Sequence, residues 1–154
     1  MRWSRTALLL TTVVASALGS GACDTVDLGD NFDAPEIALD TDFYHCEIQP
    51  NVISSSGCAE GGAGDGGGCH AQKSALRLVV VDTPTRCQDG RVVGAPSAES
   101  EVNLERVRAA IGPEAEASPL YRRPTGLDSH PRVIFDERSP EAELLRQWLN
   151  GGGR

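Results

Sequence analysis

The sequence predicts a small, mainly α-helical domain with long loops and room for one short hairpin. Three observations lead there. Residues 97–111 and 139–149 carry apolar side chains at helical spacing, each bounded by recognisable start and stop residues. Seventeen glycines and nine prolines divide the rest of the chain into loops. Aromatic residues make up only 5%, so the elements pack around a modest core.

With 154 residues there is enough chain for one domain. The formal net charge is −8, and no run of Lys and Arg forms a basic face. A nucleic-acid binder needs such a face to displace phosphate counterions, so that class is excluded.

The chain opens with Arg2 and Arg5, followed by an apolar or small run from Thr6 to Leu18. That run is too short to span a bilayer but has the length of a secretion signal's apolar region. Small residues follow, Gly19-Ser20-Gly21-Ala22, and then Cys23. This arrangement resembles the lipobox of bacterial lipoproteins, departing from it at Ser20, where Leu is preferred. The resemblance implies a signal over residues 1–22 and lipidation of Cys23. The chain is then exported, periplasmic or at the cell surface, and held to a membrane by lipid. The alternative is ordinary cleavage near Ala17 or Ala22.

Between Asp24 and Asp42 stand seven acidic residues and no Lys or Arg. Such a stretch repels itself and buries little, which predicts a flexible tether over residues 23–40 and a domain over 41–154. A calcium loop would need Gly at its sharp turn and Glu at its end, and neither falls in place.

Thr41 or Asp42 can cap a first helix carrying Phe43, Tyr44, Ile48, Val52 and Ile53, which Pro50 would kink or split. Residues 59–68 are a glycine-rich loop. Its Gly62, Gly64 and Gly67 have dinucleotide-motif spacing but lack the flanking strand and helix that motif requires. The β-branched run Leu76 to Val81 is a candidate strand or extended run, and residues 83–96 read as loop. In the helix over 97–111, Leu104, Val107 and Ile111 line one side, and Gly112-Pro113 stops it. In the last helix Ser139 caps, Pro140 fits the first position, and Glu141 and Glu143 favour the dipole. Leu144, Leu145, Trp148 and Leu149 form the apolar face, and Asn150-Gly151 ends it.

The five cysteines are Cys23, Cys46, Cys58, Cys69 and Cys87. Assigning Cys23 to lipid leaves four, which in an oxidising compartment are paired, metal-bound or joined to a cofactor. Three disulfide pairings are open. One combines Cys46–Cys87 with Cys58–Cys69. Zinc on Cys58, Cys69, His70 and one more cysteine suffices chemically, but long uneven spacing and the compartment argue against it. Covalent haem attachment is the third chemistry. Two cysteine sulfurs join the porphyrin's vinyl groups, and a histidine directly after the second is held under the iron. Here the adjacent Cys69-His70 is present, with ten residues separating Cys58 from Cys69 in place of the usual two.

Three segments in order strengthen the haem reading. Phe43-Tyr44, then Ile48-Gln49-Pro50, lead to Cys58 and Cys69-His70. Ser118-Pro119-Leu120-Tyr121-Arg122-Arg123-Pro124-Thr125-Gly126 precedes His130. Leu144 to Gly152 closes the chain with LLRQWLNGG. Together they resemble a family of c-type-cytochrome-like domains, over residues 43–152. The resemblance implies a cytochrome-c-like helical fold with Cys58 and Cys69 as thioether cysteines and His70 as proximal iron ligand. The only methionine is Met1, so the distal ligand falls to His130, with His45 in reserve. Two histidines imply a lower potential than a His/Met site. Haem c is then the cofactor, Cys46 and Cys87 are left to pair, and the partner is a redox or envelope protein.

No nucleophile elbow, phosphate-binding loop or H-E-x-x-H pair is found, and an enzyme is not expected. Two functions follow. One is electron transfer through a covalent haem. The other is a haem-free, disulfide-stabilised envelope lipoprotein with a binding or structural role.

Overall fold

The computed structural model describes residues 38–59, 70–71 and 74–152. The expected signal, Cys23, most of the tether, the glycine-rich loop and Cys69 lie outside the described residues. Among those described, the domain is mainly helical with one two-stranded sheet.

The chain enters through α1 (Thr41–Phe43), capped by Asp40, whose carboxylate accepts from the Phe43 N–H at 2.9 Å. It runs directly into a π-helix, π1 (Tyr44–Ser54). Pro50 sits inside π1 and does not break it. An α-helix would bring the proline ring against the carbonyl four residues back, where it also has no N–H to donate. The wider turn relieves that conflict, and bonds of i to i−5 type run from Ser55 N–H to the Pro50 carbonyl and from Cys58 N–H to the Ile53 carbonyl, both 3.1 Å. Side chains follow the same stride. The Tyr44 hydroxyl donates to Gln49 Oε1 at 2.9 Å, and Gln49 Nε2 donates to Ser54 Oγ at 3.1 Å. The buried positions 44, 48, 49, 52 and 53 therefore form one face.

The run Leu76 to Val81 is not a strand. Its ladder partner is a side chain. Asn103, fully buried, accepts from Val79 N–H at 2.8 Å and donates to the Val79 carbonyl at 2.9 Å. The sheet forms further on, where β1 (Cys87–Gln88) pairs antiparallel with β2 (Arg91–Val92). Asp89 and Gly90 both take positive φ, 52° and 68°, as a two-residue hairpin turn demands.

Helix α2 (Ala98–Arg108) begins at Ser97, whose hydroxyl accepts from Ser100 N–H at 3.3 Å. It buries Ser100, Asn103, Leu104 and Val107, an i, i+3, i+4, i+7 face. It ends three residues before the expected Ile111, its last carbonyls taken up by a tightened turn through Ala110 and Ile111. A 3-10 turn (Ala115–Ala117) and the short α3 (Pro119–Arg122) follow.

Helix α4 (Pro140–Leu149) has its expected cap, Ser139 accepting from Ala142 N–H at 3.2 Å. It closes in a Schellman arrangement. Gly151, at φ 73°, donates to the Trp148 carbonyl, and Gly152 donates to that of Gln147 at 2.8 Å. Its buried face packs on π1, with the Trp148 and Tyr44 rings 5.1 Å apart. The Trp148 indole N–H donates to the Asp40 carbonyl at 2.8 Å, joining the two ends of the domain. Each such fully buried large side chain contributes roughly 1.5–3 kcal/mol. No helix among the described residues is long and apolar enough to cross a membrane.

Candidate functional site

The chain's three histidines fall into two places with opposite hydrogen bonding. His45 lies on π1 and is buried. Its Nε2 faces a Glu101 carboxylate oxygen at 3.3 Å, and its Nδ1 meets Ser100 Oγ at 2.7 Å. A carboxylate only accepts, so Nε2 carries the proton and Nδ1 accepts from the Ser100 hydroxyl. Burial holds the imidazole below its usual pKa, outweighing the opposing pull of Glu101 and Asp42. Both ring nitrogens are engaged, so His45 has no lone pair left for a metal. Ser100 is fully buried, so this serine–histidine–glutamate trio does not present a nucleophile to substrate.

His70 and His130 come together, with ring centres 6.0 Å apart and planes within 19° of parallel. Two loops achieve this. The His70 loop is closed where Leu78 N–H donates to the His70 carbonyl at 2.9 Å, and Asn103 holds the next residue. The His130 loop is closed where Ile134 N–H donates to the Pro124 carbonyl at 2.8 Å. Gly126 turns that loop at φ 82°, close under Val133.

The ring nitrogens of this pair are assigned by their partners. His70 Nδ1 lies 2.8 Å from Ser74 Oγ and 3.1 Å from the Leu76 carbonyl oxygen, while His130 Nδ1 lies 2.5 Å from the Arg132 carbonyl oxygen. Carbonyls only accept, so both Nδ1 atoms carry the proton and both Nε2 atoms keep a lone pair. Burial keeps His70 below its usual pKa. The Leu76 carbonyl opposes this, and the neighbouring His130 and Arg123 reinforce it. His70 is therefore neutral at pH 7.

Cys58 packs against the core at the end of π1 and carries a free thiol. Burial pushes that thiol up to about 11, against the nearby charge of Arg132. At pH 7 it is protonated and not a reactive thiolate. Cys46 and Cys87 are bonded to one another, fixing π1 to the hairpin across 41 residues. The zinc reading thereby loses the further thiolate it needs from the domain. Among the described residues no three His, Cys, Asp or Glu side chains gather as a metal cage.

His70 and His130 would supply two imidazole donors to a haem iron, were one bound. A protein that holds haem this way also fixes each ring through its Nδ1–H, commonly on a backbone carbonyl. A cavity of about 280 Å³ lies elsewhere, against His45, Gln49, Pro84 and the Cys46–Cys87 bridge. The sequence offered Cys69-His70 through the Cys-His half of an attachment motif, and His130 only through resemblance. The Ser74, Leu76 and Arg132 acceptors have no sequence signal, because carbonyl direction depends on loop closure. Comparison with protein-family models, with curated proteins and with solved structures returned no match.

Proposed function

We propose that this chain is an exported lipoprotein whose domain carries one covalent haem c and passes electrons to a redox partner in the cell envelope. The observation that supports it is the His70–His130 pair, 6.0 Å apart, with both Nδ1 atoms committed to acceptors. In this reading His70 and His130 hold the iron, and Cys58 and Cys69 provide the thioether sulfurs. Haem supplies a one-electron couple when bound, and the protein supplies axial donors, burial and orientation. The half-buried His70 side and the exposed loop of His130 leave one edge near solvent, which suits exchange with a partner protein. Lipid on Cys23 would keep the domain near the membrane on a tether of like charges.

The test is production in a host that attaches haem to secreted proteins. The expected product has the intact mass of a haem adduct and a Soret band. His70→Ala abolishes the low-spin spectrum, and His130→Ala converts it to one with an open coordination position. Colourless protein of unmodified mass defeats this reading. It leaves the haem-free lipoprotein, stapled by Cys46–Cys87, as the function class.

A further inference from the structure

The strongest feature of the histidine site that its proposed function does not use is the hydroxyl of Ser74. We infer that Ser74 is a positioning residue for His70: the Leu76 carbonyl fixes the tautomer, and Ser74 fixes the rotation of the ring. The part of this that concerns iron rests on the haem reading above.

Three atoms form a closed set. Ser74 Oγ lies 2.5 Å from the Leu76 carbonyl oxygen and 2.8 Å from His70 Nδ1, and Nδ1 lies 3.1 Å from the same carbonyl. The carbonyl cannot donate, so the single hydroxyl proton goes to it. The serine oxygen then only accepts, and the Nδ1 proton is shared between it and the carbonyl. The opposite tautomer would leave the carbonyl facing a bare nitrogen, whereas the hydroxyl could turn to suit either; the carbonyl therefore sets the tautomer, and the second partner on Nδ1 sets the rotation of the ring. The backbone of the set is itself held. Leu76 packs on the core, Leu78 N–H returns to the His70 carbonyl at 2.9 Å, and Asn103 clamps Val79. His130 has no counterpart, since its Nδ1 meets one carbonyl two residues on, within its own exposed loop. Ser74 thus makes His70 the firmly oriented member of the pair.

An acceptor on Nδ1–H raises the basicity of Nε2 and stabilises the more positive oxidation state of a metal bound there. Removing it weakens the bond and raises the potential.

The experiment compares wild type, Ser74→Ala and Ser74→Thr by two readouts. The first is the ¹⁵N imidazole spectrum of His70 in the full mature chain made without haem attachment. Wild type shows the Nδ1–H tautomer with its proton protected from exchange; Ser74→Ala keeps the tautomer but exchanges that proton faster as the ring turns, and Ser74→Thr restores the protection. An Nε2–H tautomer in wild type, or unchanged exchange in Ser74→Ala, overturns the inference. The second readout is the midpoint potential and the release of the His70 ligand in the coloured protein. Ser74→Ala is expected at a higher potential, with ligand release faster by roughly 10-fold. Faster exchange without a change in potential overturns the link to iron. Colourless protein defeats the haem reading while leaving the spectrum of His70 to decide the role of Ser74.

Discussion

His45 illustrates how one side chain can be spent on the fold. Its neighbours are Ser100 and Glu101 on α2, Asp42 on α1, and the Tyr44 ring, which meets it edge-on at 5.2 Å. Burial keeps the native imidazole neutral, whereas the unfolded chain takes up a proton near about pH 6.5. The unfolded state therefore binds more protons as pH falls, so this contribution to stability is complete above that value and is lost below it. Urea denaturation at pH 7.5 and 5.5 should show wild type weaker at the lower pH, and His45→Gln should flatten the difference. An equal slope in the variant would assign the effect elsewhere. From the sequence His45 was a reserve iron ligand, because a histidine's type is visible there and its hydrogen-bond partners are not. Only the packing of α2 onto π1 reveals that both nitrogens are occupied.

At the scale of elements, what was legible was what local residues decide. Ser97 and Ser139 start helices because their hydroxyls satisfy N–H groups a few residues on, and Gly151 ends one because it accepts positive φ. The first helix was expected to kink at Pro50, a rule that holds for α-helical turns and not for the wider turn of π1. The run Leu76 to Val81 was expected as a strand or extended run, and it forms no strand. Its partner, however, is the amide of Asn103 from a distant helix, which no local pattern announces. The hairpin at Asp89-Gly90 could have been found, since that dipeptide is a strong two-residue turn signal. The loop carrying His130 depends on Gly126 in the same local way. A Cβ there would lie 2.8 Å from Val133 Cγ2, on a backbone that also disfavours any side chain. Gly126→Ala should cost about 1–2 kcal/mol. Gly126→Ala with Val133→Ala should recover the steric part alone, as read by thermal melting. Full recovery in the double variant would show that the positive φ carries no cost.

For the molecule as a whole, the Cys46–Cys87 bridge is the main constraint outside the core. It closes a sequence separation of 41 residues, and the loop-entropy account assigns about 4 kcal/mol to that closure. Cys46→Ser with Cys87→Ser should lower the urea midpoint accordingly while leaving helix content by circular dichroism unchanged. Loss of helix content would mean that the bridge is needed to form π1 at all. The mainly helical architecture was legible from the outset because periodicity and capping report it directly. The meeting of His70 and His130 was legible only through family resemblance, since sixty positions separate them and two independent loop closures bring them together.

The bond from the Trp148 indole to the Asp40 carbonyl spans 108 positions. Synthesis delivers a chain amino end first, so the acceptor emerges long before its donor exists. The ring of Tyr44 likewise waits for its indole neighbour. Folding of this domain is consequently completed only once the segment carrying Trp148 has been made and is free to dock. Until then the face of π1 stays uncovered, and any factor acting on the nascent chain meets it open.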